Sequence, residues 1–256
     1  MVRHGEWLGL VNIGETGRAG PRWAVDPRVP SVTPFDRMQE LADAWGPDDR
    51  RALFASAYGA MTANVVDTLG SGTFLDDDWV AGLLERFADY YFVAVEGYDR
   101  DPGESSAPWR VAFDACRDPS LHPLRPLMLG INAHINYDLA FTLRDVLANW
   151  PALDGDARRA RRADHDAVNA VIRTTIDAVQ DDVVAVVDRR MYVLDRMLGP
   201  LDEFVFASLI ADWRSDTWDD AVALLEAPPT EIPGVERRIE ARALAVADRV
   251  LRVGPG

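Results

Sequence analysis

The sequence predicts an all-α protein, a single helical-bundle domain over residues 35–256 behind an irregular Gly/Pro-rich N-terminal arm over 1–34. Apolar residues recur at helical spacing in one segment after another. The prolines beyond the arm, among them Pro47, Pro102, Pro119, Pro151, Pro200 and the Pro228-Pro229 pair, fall between those segments, where helix breakers belong. No run alternates apolar and polar residues as a half-buried strand would. With 256 residues, 48% of them hydrophobic, the chain is large enough to bury a sizeable core.

The arm carries Gly14, Gly17, Gly20, Pro21, Pro27, Pro30 and Pro34, too many breakers for regular structure. Thr33-Pro34 reads as a helix start, a capping hydroxyl followed by a proline in the first turn. The periodicity then predicts helices over 35–45, 48–69, 76–98, 108–117, 121–149, 157–198, 201–212, 216–226 and 235–252. Gly70-Ser71-Gly72 reads as a turn. No internal repeat and no low-complexity linker divides the chain, so one domain is the simplest account.

The charge balance narrows the function. Forty-two acids face 27 bases, for a formal net charge of -15, and the pI is near 4.6. Such a surface argues against nucleic-acid and anionic-membrane partners, which need clustered positive charge. Every base is Arg and the chain has no Lys, which excludes a Schiff-base or phosphate-loop lysine and suggests a GC-rich bacterial genome. The single Cys116 excludes an intramolecular disulfide and a multi-cysteine metal site. No apolar stretch reaches the length of a membrane span, and Met1 to Gly20 lack the hydrophobic core of a signal peptide. The expected location is the cytoplasm.

Two segments concentrate polar residues where a core is expected. In residues 127–147, a 100° projection puts Leu129, Asn132, Asn136, Leu139, Leu143 and Val146 on one face. It puts Leu127, Gly130, Ile131, His134, Asp138 and Phe141 on another. A helix that is apolar almost all round is a central helix, yet Asn132, His134, Asn136, Tyr137 and Asp138 sit in its middle. Unpaired buried polar groups cost about 1–3 kcal/mol each, so these five demand partners. In residues 163–187, His165, Asn169, Ile172, Ile176, Val179 and Val183 share one apolar stripe. The two segments thus aim an i,i+4 pair each at the core, His134 with Asp138 and His165 with Asn169, and both histidines are expected to face one cavity.

Several chemistries fit these residues. His134, Asp138 and His165, with Asp164 or Asp166, offer a mixed N/O set for a divalent metal. The bland alternative is a His134–Asp138 pair that only rigidifies the core. His165-Asp166 is similar to the dipeptide of metal-dependent phosphohydrolases, although Asp166 is rotated off the apolar stripe. The acidic run at Asp76, Asp77 and Asp78 suits either Mg²⁺ or, more simply, a helix N-terminus. Arg214 lies on a stripe with Ile210, Trp218, Ala221 and Leu225. A core-directed Arg either pairs with a buried acid, Asp138 or Asp212, or binds an anionic ligand, and Trp218 is placed to add a cation–π contact. Phe87, Tyr90, Tyr91, Phe92, Trp79 and Trp109 read as core. No Ser-His-Asp elbow or Rossmann fingerprint is present.

The run Gly130-Ile131-Asn132-Ala133-His134-Ile135-Asn136-Tyr137-Asp138-Leu139 resembles the hallmark of a bacterial domain-of-unknown-function family, number 5995. Phe74 with its following acid, residues 87–92, Pro108-Trp109, the Asp166/Val168-Asn169 region and Arg214 with Trp218 fit the same pattern in order, over residues 35–226. The family often carries His at the position of Tyr137, so this chain lacks a third imidazole there. The resemblance implies that these pieces belong to one domain and brings no activity with it.

The residues themselves point to an enzyme that transforms a small molecule in a buried pocket, by acid/base or metal-assisted chemistry. His134, Asp138 and His165 would be catalytic, and Asn132, Asn136, Tyr137, Asn169, Arg214 and Trp218 would bind substrate. Hydrolysis and cyclisation or isomerisation both remain open. The rival is a non-catalytic helical domain that binds a ligand or partner, its polar cluster serving only to specify packing.

Overall fold

The computed structural model describes residues 33–46, 48–181 and 203–252. These residues form helices joined by turns, with no strand among them. The expected arm lies outside the described residues apart from Thr33 and Pro34. So do residues 182–198 of the long predicted helix, with Val183 on its stripe, and no side chain of 176–181 is described, Ile176 and Val179 included.

Helix α1 (Pro34–Trp45) starts where the Thr33-Pro34 pair predicts. Thr33 Oγ1 accepts from the Asp36 N–H at 3.1 Å, and Asp36 Oδ2 accepts from the Thr33 N–H at 3.0 Å, a reciprocal cap. Helix α2 (Arg51–Thr68) lies against α1. Gly70 and Gly72, at φ of 76° and 83°, form the turn that follows it.

Helix α3 (Asp77–Arg100) is capped by Asp76, whose Oδ1 accepts from the Trp79 N–H at 3.0 Å while Oδ2 receives Arg161 at 2.6 Å. The acidic run is therefore a helix start, and its first carboxylate is committed to an amide and a guanidinium. Helix α4 (Ala107–Cys116) carries Pro108 in its first turn.

The centre of the fold is one composite helix. Helix α5 (Leu124–Ala133) continues through a π turn (His134–Asp138) into α6 (Leu139–Val146). The Leu139 N–H reaches back to the His134 carbonyl, five residues earlier instead of four. The prediction of a plain helix over 121–149 missed this turn, because side-chain period does not reveal one extra residue. The central position holds: α2, α3 and α4 pack around the composite helix. Leu127, Leu129, Leu139 and Leu143 are all buried.

Helix α7 (Gly155–Asp181) packs on α2 and on α8 (Glu203–Glu226). The two helices predicted at 201–212 and 216–226 are this single α8, since Trp213, Arg214 and Ser215 include no helix breaker. Helix α9 (Ile232–Arg252) closes the bundle against α4, α5 and α8. It begins three residues before the predicted start, with Pro233 in the first turn, where no N–H is needed. No helix among the described residues is long and apolar enough to cross a membrane.

At Gly130, α5 lies close against Phe54 of α2. A methyl group there would stand 2.8 Å from Phe54 Cδ2 and 3.1 Å from Cγ. Phe54 has little room to yield, with its ring centroid 5.1 Å from that of Tyr91 and 5.4 Å from that of Trp109. Gly130→Ala is expected to cost about 1–3 kcal/mol through overpacking, measured by urea unfolding. An unchanged midpoint would show that the ring moves freely.

Candidate functional site

The π turn places His134 and Asp138 side by side. His134 Nδ1 lies 3.1 Å from Asp138 Oδ2, and the same oxygen accepts from Trp109 Nε1 at 2.7 Å. The indole N–H can only donate, so Oδ2 accepts from Trp109. Nδ1 is the His134 nitrogen tied to Asp138, and the tautomer with the proton on Nδ1 leaves the Nε2 lone pair free. Nε2 is buried and has no hydrogen-bond partner among the described residues. Phe87 lies flat on the imidazole, centroids 3.5 Å apart and planes at 7°, and Tyr58 meets it edge-on at 4.3 Å. Burial pushes Asp138 well above the usual carboxylate range and His134 well below the usual imidazole range, so the site favours a neutral imidazole.

His134 lines a cavity of about 150 Å³ bounded by α2, α3, α5, the π turn, α7 and α8. Its walls are mostly apolar, with Phe54, Leu84, Phe87, Leu127, Ile172 and Ile210 prominent. The polar residues on them are Tyr58, Thr62, His134, Thr175 and Arg214. The Tyr58 and Thr62 hydroxyls are buried one turn apart on α2; neither meets full hydrogen-bond geometry with a partner among the described residues, and Thr62 lies near enough to act on the phenol. Burial, helped by the nearby Asp138, holds the Tyr58 phenol well above its ordinary value, so it stays protonated.

Arg214 reaches this wall from α8 and is only 4% exposed. Its Nε donates to Asn169 Oδ1 at 2.8 Å and its Nη2 to the His165 carbonyl at 2.9 Å. The expected pairing with Asp138 or Asp212 does not form; Asp138 is held by Trp109 and His134 instead. Burial lowers the guanidinium to about 10, which leaves it charged at neutral pH.

Other residues expected at the site serve elsewhere. Asn132 donates to the Ala243 carbonyl at 3.0 Å and accepts from Asn136 at 3.1 Å, a polar ladder that docks α9. Tyr137 packs edge-on against Phe141, centroids 5.0 Å apart, away from the cavity. His165 is not among the cavity-lining residues; its ring packs against Trp218, centroids 5.0 Å apart. Trp218 carries a guanidinium over its face, but it belongs to Arg162, at 5.4 Å, not to Arg214.

Asp164 accepts from the Leu75 and Asp76 amides at 2.6 and 3.1 Å and ties α7 to the start of α3. Asp166 pairs with Arg162 at 2.8 Å. The proposed metal ligands are therefore not gathered: among the described residues no group of three or more His, Cys, Asp or Glu side chains is placed to hold a metal.

The site is thus a helix-bundle cavity with one oriented imidazole, one buried cation and two neighbouring buried hydroxyls. Its imidazole and its Asp138 support come from the Gly130–Leu139 run, and a family profile covers residues 34–253. The chain belongs to the DUF5995 family. The family is described as one of unknown function. No curated protein and no solved structure matches the chain. In this DUF5995 chain, sequence reasoning found His134, Asp138 and Arg214 and missed Tyr58 and Thr62. Their four-residue spacing on α2 carried the one available signal, two polar groups on a face that is otherwise apolar.

Two measurements probe this arrangement. Asp138→Ala strands the Trp109 and His134 N–H groups and is expected to cost about 2–4 kcal/mol, whereas Asp138→Asn keeps an acceptor and should leave the melting temperature within a few degrees. Equal losses in both variants would contradict the acceptor role of Oδ2.

His165 adds a pH dependence. Burial, with Arg214 reinforcing it and Asp166 opposing, lowers its imidazole from 6.5 to about 3. The unfolded chain then binds the extra proton, so this contribution to stability is full above pH 6.5 and falls as pH drops toward 3. Between pH 7 and 5 it amounts to about 2 kcal/mol. His165→Gln should remove that much of the acid-induced loss in urea titrations, and parallel curves would show a charged His165 in the fold.

Proposed function

We propose that this chain is an enzyme that moves a proton on a small molecule held in the cavity, with His134 as general acid/base and Asp138 as the group that orients it. One observation carries the reading: His134 Nε2 is buried and unpartnered on a ring that lines the cavity, while Nδ1 is fixed by Asp138, which does not line it. A base held this way needs no reorganisation before it accepts a proton.

The two hydroxyls supply the complementary role. Tyr58 keeps its proton and is placed to hydrogen-bond a carbonyl oxygen on which charge develops. In a β,γ-unsaturated carbonyl compound His134 would take a proton from the α carbon, the electron pair passing onto the carbonyl oxygen, and return it to the γ carbon as the double bond moves into conjugation, an isomerisation with no net loss of atoms. Apolar walls that exclude water favour this, or a cyclisation, over hydrolysis.

A second reading, a ligand-binding domain without turnover, has its own support. The flat stack on Phe87 and the depth of burial press His134 toward the neutral form, which makes it a good hydrogen-bond acceptor and a weak base.

Deuterium incorporation separates the two. In D₂O, with a panel of small apolar carbonyl compounds followed by proton NMR, the wild-type chain is expected to exchange protons next to the carbonyl. His134→Gln should reduce the rate by about 100-fold or more. Full exchange in that variant removes His134 from the mechanism, and binding without exchange leaves the ligand-binding domain.

A further inference from the structure

We propose that the ligand of this cavity is a small apolar monocarboxylate of about benzoate size, its carboxylate held by Arg214; this rests on reading the cavity as a ligand site. Arg214 is the starting point. A buried guanidinium is normally matched by a carboxylate, because an unpaired charge in a low-dielectric interior is costly. The chain has 42 acidic residues, yet the partners of Arg214 among the described residues are a neutral amide and a backbone carbonyl. Those two contacts use two of five N–H donors and fix the guanidinium plane against α7. Asp166, the acid whose charge acts most on Arg214, is spent on Arg162 and His165. Among the described residues the cation is thus held in place by neutral groups on a wall of the cavity, ready for an anionic ligand.

The rest of the wall selects the body of the ligand. Phe54, Leu84, Phe87, Leu127, Ile172 and Ile210 offer no polar atom to satisfy, so the part of the ligand they enclose is hydrocarbon. A volume of about 150 Å³ is that of an engineered apolar cavity that takes benzene, which sets the size. No second Arg lines the cavity among the described residues, so one negative charge is matched and a dianion such as a phosphate monoester is not. A guanidinium fork meets a carboxylate with two parallel hydrogen bonds. Tyr58 and Thr62 remain for a second polar group on the ligand.

The probes are benzoate, benzamide and toluene, which share a ring and differ in charge and polarity, titrated into the full chain by calorimetry. Benzoate is expected to bind at least 10-fold more tightly than either neutral probe. Arg214→Met should abolish that preference while leaving toluene binding within about 3-fold. Should Arg214→Met fail to fold, Asn169→Ala, which frees Nε from its anchor, is expected to weaken benzoate more than toluene.

Equal affinity for benzoate and toluene in the wild-type chain overturns the proposal, as does an undiminished preference in the variants or a failure of all three probes to bind. The wild-type chain keeps the two readings apart: benzoate preference without proton exchange discards the enzyme reading alone. Exchange on neutral substrates without a preference for benzoate discards the carboxylate alone.

Discussion

Asp138 Oδ2 meets two rings at hydrogen-bond distance, and that oxygen joins the aromatic core to the polar site. One ring, Trp109, comes from α4; the other, His134, comes from the turn of Asp138 itself. A carboxyl group this deep is costly to desolvate, and the two ring contacts offset the cost only while both stay in place. Trp109 is in turn packed against Phe54 and Phe113. The aromatic core and the polar site are therefore one object. Packing sets where Asp138 stands, and Asp138 holds one nitrogen of His134 and leaves the other without a partner among the described residues.

The polar groups of the composite helix divide by neighbour. Those turned toward α9, Asn132 and Asn136, bond to each other and to the Ala243 carbonyl, and Asn136 Oδ1 has no partner among the described residues. Those turned toward α2 and α3 meet aromatic rings and open space. The same division runs along α7, where Asp164 caps the loop before α3 and Asn169 supports Arg214. Around the cavity, buried polar atoms of His134, Tyr58 and Thr62 have no hydrogen-bond partner among the described residues.

How much of this was legible in the sequence follows from what a periodic pattern encodes. Caps such as Thr33 and Asp76 are local chemistry and could be read directly. The pairing of His134 with Asp138 could be read too, because four residues on a helix fix their proximity. The inward aim of Arg214 and His165 was also readable from their stripes. Which neighbour each would meet was not, since a helix face names a direction and not the element opposite it. That is why His165 was expected in the cavity and stands against Trp218, and why Arg214 was expected on an acid and rests on an amide. Tyr58 sits on a helix whose residues are small and apolar enough to look like core on every side. The family match spans the run from Gly130 to Leu139 and is silent on chemistry.

The π turn has an evolutionary corollary. A helix closed five residues back holds one residue more than an α-helix following the same path. Loss of a single residue from His134–Asp138 would restore ordinary closure while the helix keeps its path. Leu139 and Leu143, now fully enclosed, would stay on the core. What would change is the turn itself, where the spacing between His134 and Asp138 would be reset. A related chain without the extra residue could therefore keep the apolar pattern of α6 and differ at the pair alone. The extra residue is thus a local device, one that a single deletion can remove without disturbing the leucines that follow.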